Sequence, residues 1–291
     1  MKAIRPVVPN MVWAGLDLAK LTFQAAIWGH LDFPEMEVRP FDRKRKAMKP
    51  FLAWLRTQAP EGGRLGVVME ATGTFAEEVA SWLLDLDPTL LVALVNPGQT
   101  SAFIKSLGFR NKTDDLDAKG LAKYGQERRP APWERPTPEM AALKDLVRVR
   151  MSLVNARTAM HLRLKDHQRT AKKATDAMKK VILSLKTQIQ NLDEAIAEQV
   201  AAYPEIAHQV KLFTSICGIA QVTATTVLVE LGDLRRFPRS RQLTAFAGLS
   251  PRKWQSGTSV NGKTRLCKQG SSGYARPFTW PPVVPFGSTR T

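Results

Sequence analysis

From Glu139 to Tyr203 the chain contains neither proline nor glycine. The two strongest helix breakers are missing from a long run, so the run reads as helix throughout. Within it Ile182, Leu185, Ile189, Leu192 and Ile196 are spaced alternately three and four apart. That is a heptad seam of about two heptads, and it needs another helix to cover it. Charge divides the run. Residues 139–180 hold 11 Lys and Arg against 4 acids, whereas residues 181–205 hold one Lys against 4 acids. A coiled-coil arm that packs on a partner and also meets phosphates fits this division; a solvated helical hairpin is the plainer alternative.

The arm, residues 139–205, separates two different regions. Residues 11–127 alternate strand-like and helix-like patterns, which predicts a sheet covered by helices and an α/β fold class. "VWAGLDLAK" and "TFQAAIWGH" read as neighbouring strands, and "RLGVVMEATG" and "LLVALVNPG" as buried ones. Thr74–Leu86 and Gln99–Leu107 carry helical spacing. Residues 128–138 are rich in proline and read as a linker or domain edge. Residues 206–270 form a mostly α C-terminal region, in which "LFTSICGIAQVTATTVLVELGDLRRF" resembles a helix-hairpin-helix that offers backbone N–H groups to a phosphate.

Net charge narrows the partners. Lys and Arg number 43 against 26 acids, giving +17. Such an excess implies a polyanion, with nucleic acid first and an anionic membrane surface second. From Leu234 to Thr291 there are 11 basic residues and no acid, which points that stretch at nucleic acid. No apolar run approaches the roughly 20 residues of a membrane span, and the N-terminus lacks the apolar core of a secretory signal. Cys217 and Cys267 make neither a disulfide framework nor a zinc motif. The expected setting is cytoplasmic and the expected partners exclude a membrane.

Four acids stand where chemistry would want them. Asp17 lies late in the first strand and Glu70 at the end of another, both with apolar flanks. Asp114 and Asp117 lie three apart at a helix start and share a face, while Asp115 points elsewhere. An ionised acid in an apolar strand needs a partner. A hard divalent cation such as Mg²⁺ (or Mn²⁺) prefers carboxylate oxygens and assists phosphodiester cleavage. The plainer reading is a structural Asp in a strand and acids that favour a helix N-terminus.

With these residues the chain resembles a known family. "GLDLAK", "VVMEATG", "NPGQTSAFIKSLGFRNKTDDLDAKGLA" and "FTSICGIAQVTATTVLVELGDLRRFPRSRQLTAFAGLSPRKWQSGTSVNGKTRLCKQG" occur in order and look like the bridge-RNA-guided insertion-sequence transposases, also called DEDD transposases. The resemblance covers nearly the whole chain to about Gly270. It implies an RNase H-like (RuvC-like) N-terminal domain, a coiled-coil arm and a C-terminal transposase domain. It maps the DEDD acids onto Asp17, Glu70, Asp114 and Asp117. It also implies DNA and a guide (bridge) RNA as partners, and a homo-oligomer, dimer or tetramer.

Ser256 in "KWQSGTSVNGK" reads by pattern as a Ser-Gly turn. The resemblance implies instead that Ser256, rather than Ser259, is the nucleophile that becomes linked to DNA. No His lies near it in sequence, so activation would fall to the carboxylate-bound Mg²⁺. Lys112, Lys119, Arg252, Lys253, Lys263, Arg265 and Lys268 are the expected phosphate contacts. Two departures from the family stand out. Cys217 and Ala220 replace residues of an "IPGIG" pattern. Residues 271–291, with four prolines and no helical period, stand where the family continues with an Arg-rich helix and then an apolar one. Suitable codons read in the −1 frame can spell a segment resembling that Arg-rich helix, so the expectation is a frameshifted or truncated copy.

The leading reading is therefore a DNA transposase that uses RNA to choose its sites. The rivals are a RuvC-like nuclease that cuts branched DNA with the four acids alone, and an inactive nucleic-acid-binding remnant.

Overall fold

The computed structural model describes residues 11–28, 36–58, 63–109, 111–166, 171–232, 237–256 and 260–267. The chain divides into two compact units, residues 1–135 and 136–291.

The first unit is built on five strands: β1 (Met11–Leu18), β2 (Thr22–Trp28), β3 (Val38–Asp42), β4 (Arg64–Glu70) and β5 (Leu91–Val95). Their order is β3-β2-β1-β4-β5. β1 pairs antiparallel with β2 and parallel with β4, and β4 pairs parallel with β5. This mixed central sheet is consistent with the RNase H-like expectation. Helices α1 (Met48–Thr57) and α2 (Thr74–Leu86) cover one face, and α3 (Pro97–Ser106) and α4 (Asp114–Arg128) the other.

Successive strand residues point to opposite faces, and β1 shows it plainly. Val12, Ala14 and Leu16 join Phe51, Leu55, Val79 and Leu83 in the larger core. Trp13 goes the other way and packs with Val68, Phe103, Leu121 and Tyr124. Gly15 and Asp17 share the parity of Trp13, and Glu70 shares that of Val68. Both acids therefore leave the sheet on the side of α3 and α4. The same parity could be read from the sequence.

The proline-rich stretch is anchored to the first unit, as a domain edge rather than a loose linker. The Trp133 amide donates to the Val92 carbonyl at 2.7 Å, and the Trp133 side chain packs against the larger core. Arg135 donates to Asp85 and to the Ser81 carbonyl.

Where the missing breakers predicted one helical run, the second unit begins with two long helices: α5 (Pro138–Asp166) and α6 (Lys172–Ala202). They fold back on each other as a hairpin, joined by an Arg150–Asp193 ion pair. The expected seam faces inward: Ile189 and Ile196 are buried, and Ile182, Leu185 and Leu192 are half-buried. At the proximal end of this hairpin α7 (Pro204–Thr214) and α8 (Gln221–Leu231) complete a core of Leu143, Val147, Val200, Ile206, Val210 and Leu228. Every residue of α8 from Ala224 to Leu231 is buried.

That burial includes Glu230, whose side chain is 8 % exposed and faces Arg148 at 3.5 Å. A buried carboxylate stripped of its cation costs far more than a surface pair gains. Arg148→Met is therefore expected to destabilise the second unit by about 2 kcal/mol. Urea denaturation measures it, and a loss below a few tenths of a kcal/mol would show that Glu230 is satisfied without Arg148.

The C-terminal region is less purely helical than the sequence suggested. After α9 (Ser240–Phe246), strands β6 (Pro251–Ser256) and β7 (Val260–Leu266) form an antiparallel hairpin. The short basic run that reads as loop supplies its own cross-strand partner, which single-strand patterns do not reveal.

Candidate active site

The site is made by the C-terminal ends of β1 and β4 and the N-terminus of α4. Its assembly depends on how closely α4 lies on the sheet. A Cβ built on Gly15 would stand 2.2 Å from the Ala118 oxygen and 2.2 Å from the Ala122 nitrogen. Only a residue without a side chain lets α4 approach so far. Ala118 and Ala122 continue the close contact onto Ala26 of β2. Small residues at 15, 118 and 122 thus set the height of α4 over the sheet, Gly120 lets α3 approach through Ile104, and α4 carries Asp114 and Asp117.

The start of α4 is fixed by Thr113, whose Oγ1 accepts from the Leu116 amide at 3.3 Å. Asp114, Asp115 and Asp117 occupy the first turn, where the helix dipole favours negative charge. Two of the three, Asp114 and Asp117, act on Asp17. The Asp17 carboxyl is pushed up to about 6, first by burial and then by Asp114, Asp117 and Glu70; Lys112 pulls weakly the other way. Asp115 takes no part, as expected from its position on the helix. The four sequence-predicted acids are therefore one electrostatic cluster.

Among the described residues no three His, Cys, Asp or Glu side chains converge closely enough to hold a metal ion in the arrangement seen. The donor chemistry still fits a hard divalent cation. Every candidate ligand is a carboxylate, and the four repel one another with little cationic relief. Lys112 is 3.8 Å from Asp117 Oδ2 and its side chain is 86 % exposed, so it screens weakly. Lys119 is half-buried on the same helix.

One group escaped the sequence reading. Thr100, fully buried in the first turn of α3, donates from Oγ1 to Glu70 Oε1 at 2.5 Å. The signal was present in "NPGQT": Asn96 caps the helix and Pro97 begins it, which sets a threonine one turn inside an apolar layer. A nearby clasp was also missed. Arg43 donates to the Lys20 carbonyl and to Glu78, and its guanidinium lies 3.9 Å above the Phe75 ring. It ties the turn after Asp17 to the helix that follows Glu70. That turn into α2 uses Gly73 at φ 95°, a conformation that favours glycine.

The other predicted residues lie in the second unit. Ser256 ends β6 and pairs in register with Val260. Arg252, Lys253, Lys263 and Arg265 are all exposed on the hairpin. Arg252 and Arg265 are direct cross-strand partners. Like charges placed so disfavour the hairpin unless an anion joins them. Arg252, Lys263 and Arg265 line one groove. The Cys267 thiol donates to the Gly248 carbonyl at 3.4 Å, fastening the strand end to the turn after α9. Ser259, Lys268 and residues 271–291 lie outside the described residues. The expected helix-hairpin-helix corresponds to α7, an exposed turn with Gly218 at φ 87°, and α8. No side chain caps the N-terminus of α8 at Ala220.

Residues 14–171, over half the chain, match the family model of the DEDD transposase of IS110 elements. Residues 210–277 match that of the transposase IS116/IS110/IS902 family. The chain belongs to the IS110 family of transposases. This transposase is 30% identical over 271 residues to the pilin gene-inverting protein of Moraxella bovis, covering 91% of the chain and 78% of that protein. It is 30% identical over 217 residues to the transposase for insertion sequence element IS1111A of Coxiella burnetii, covering 66% of the chain and 58% of the relative. A probable family 20 transposase of Pseudomonas aeruginosa is 28% identical over 277 residues, covering 85% of the chain and 76% of that protein. The transposase is thus a DNA recombinase of an insertion sequence, and its DEDD domain suggests dependence on a divalent metal. No helix among the described residues is long and apolar enough to cross a membrane.

Proposed function

We propose that the transposase cuts and rejoins DNA with two sets of groups, one in each unit. Asp17, Glu70, Asp114 and Asp117 hold Mg²⁺ or Mn²⁺, and Ser256 is the nucleophile. The observation that carries this reading is the gathering of four carboxylates around one point: burial first, and then the charges of Asp114, Asp117 and Glu70, lift Asp17 to about 6. A bound divalent cation supplies charge stabilisation at the phosphate and lowers the pKa of an attacking hydroxyl. Asp17 is fully charged, and able to serve as a ligand, above that pKa.

Ser256 Oγ forms a bond to phosphorus while one bridging P–O bond breaks. The serine gives up its proton, and the departing oxygen leaves as a free strand end that takes a proton. Rejoining reverses the exchange. Arg252, Lys253, Lys263, Arg265 and Lys268 neutralise phosphates near the serine, and Lys112 and Lys119 do so near the acids. The guide RNA chooses the sites, and more than one chain assembles on the DNA. The resemblance of the ordered motifs supports these last two points.

The test is a cleavage reaction with Mg²⁺, the element's DNA ends and the RNA encoded beside the gene. The expected product is DNA covalently attached at Ser256, absent in Ser256→Ala and absent without the RNA. Cutting that survives Ser256→Ala unchanged identifies a nuclease that uses the acids alone. Binding with no cutting under any condition identifies an inactive remnant.

A further inference from the structure

We infer that Thr100 is the positioning residue of the carboxylate site, holding the Glu70 carboxylate in place for the cation by a hydrogen bond to its Oε1. The inference rests on the reading of Glu70 as a metal ligand and goes one shell beyond it. Three observations carry it. Thr100 is fully buried, among few polar side chains in the described part of the unit that are. Its hydroxyl lies 2.5 Å from Glu70 Oε1. Its remaining oxygen neighbours are the Pro97 carbonyl at 3.0 Å and the Asn96 carbonyl at 3.5 Å.

A hydroxyl has one proton to give. Carbonyl acceptors within its own helix turn offer an ordinary bond; the carboxylate offers a shorter, charge-assisted one. The proton therefore goes to Glu70, and the carboxylate is fixed at Oε1. An oxygen that accepts one such bond keeps a lone pair, so the held carboxylate can still meet a cation. Glu70 so held loses little side-chain freedom when it binds.

The helix that carries Thr100 is itself held firmly. Asn96 Oδ1 accepts from the Gly98 amide at 2.8 Å, and Pro97 fixes the first turn. The Tyr124 hydroxyl on α4 donates to Gln99 Oε1 at 3.3 Å. One turn of α3 thus touches both the strand bearing Glu70 and the helix bearing Asp114 and Asp117. Groups that orient a metal ligand typically contribute 10–100-fold in metal affinity.

The experiment measures Mn²⁺ binding to the full chain by calorimetry, without nucleic acid. Thr100→Val keeps the shape and removes the donor. It is expected to weaken Mn²⁺ binding by about 10–100-fold, while Thr100→Ser stays within about threefold of the parent. Thermal melting in EDTA checks the fold; should Thr100→Val not fold, Thr100→Ala removes the same hydroxyl and its affinity decides. Unchanged affinity in the variant without the hydroxyl overturns the inference, as does equal weakening in Thr100→Ser. Glu70→Gln, run in parallel, separates the two readings. If it too binds Mn²⁺ like the parent, Glu70 is no ligand, and the inference falls with the metal reading. If it binds weakly while Thr100→Val does not, only the role of Thr100 falls.

Discussion

Asp17→Asn is expected to lower strand cleavage by about a thousandfold or more while making the metal-free protein more stable at pH 8. The two effects have one cause. Asp17 sits half-buried beside three other carboxylates, and its pKa is raised from 3.8 to about 6. The folded state therefore binds its proton more tightly than the unfolded state does. The stability that this proton contributes is fully present below about 3.8 and is lost as pH rises through about 6. Above that the charged side chain opposes folding. Asparagine has the same shape and no charge, so it removes the opposition. A rise of roughly 4 °C in melting temperature corresponds to about 1 kcal/mol in a domain of this size. The gain should be large at pH 8 and small at pH 5.

Activity goes the other way, because a carboxylate that repels its neighbours attracts a cation. Losing about 4 kcal/mol of transition-state stabilisation is a thousandfold in rate. Mg²⁺ should also raise the melting temperature of the parent more than that of the variant. Melting curves at two pH values, with and without Mg²⁺, and a cleavage assay measure all of this. Cleavage within tenfold of the parent would take Asp17 out of the site. A variant less stable than the parent at pH 8 without metal would show that the four acids do not strain the fold.

Gly15→Ala is expected to damage both the fold and the site. The added Cβ meets backbone atoms of α4 at 2.2 Å and Leu121 Cβ at 2.7 Å. Backbone inside a helix cannot step aside as a flexible side chain can. The whole helix must lift, at a cost of about 3 kcal/mol, the upper part of the usual overpacking range. Asp114 and Asp117 ride on that helix and move away from Asp17 and Glu70. A displacement of about 1 Å at a catalytic group can cost a hundredfold in rate. Urea denaturation should show the loss of stability. Titration of Asp17 should show its pKa falling back toward the ordinary carboxylate range. An unchanged Asp17 titration would mean that α4 does not set the spacing of the site.

These two residues mark where sequence reasoning reached and where it stopped. The carboxylates were legible because each carries a local signal. Asp17 and Glu70 end apolar strands, and Asp114 and Asp117 begin a helix three residues apart. The helical character of residues 139–203 was legible for the same reason: breakers are absent from a long run, and the seam repeats within it. The fold-back into a hairpin was only the plainer alternative to a coiled-coil arm. The seam's partner was not legible, since a seam says that a helix must cover it but not which one. The β6–β7 hairpin went unread because a basic strand has no apolar face to betray it. Thr100 went unread because "NPGQT" places it in a helix's first turn but does not say that Glu70 is its neighbour.

What the sequence determined by itself was parity and period. Alternation along β1 and β4 fixes which face Asp17 and Glu70 leave from, and spacing on α4 excludes Asp115 from theirs. These follow from the geometry of one element at a time. What only the tertiary structure decided was proximity: α4 against Gly15, Thr100 against Glu70, Asp17 lifted by burial and then by charges up to a hundred residues away in the chain. Distances of that kind depend on the packing of layers at ångström scale, and no single stretch of residues carries them.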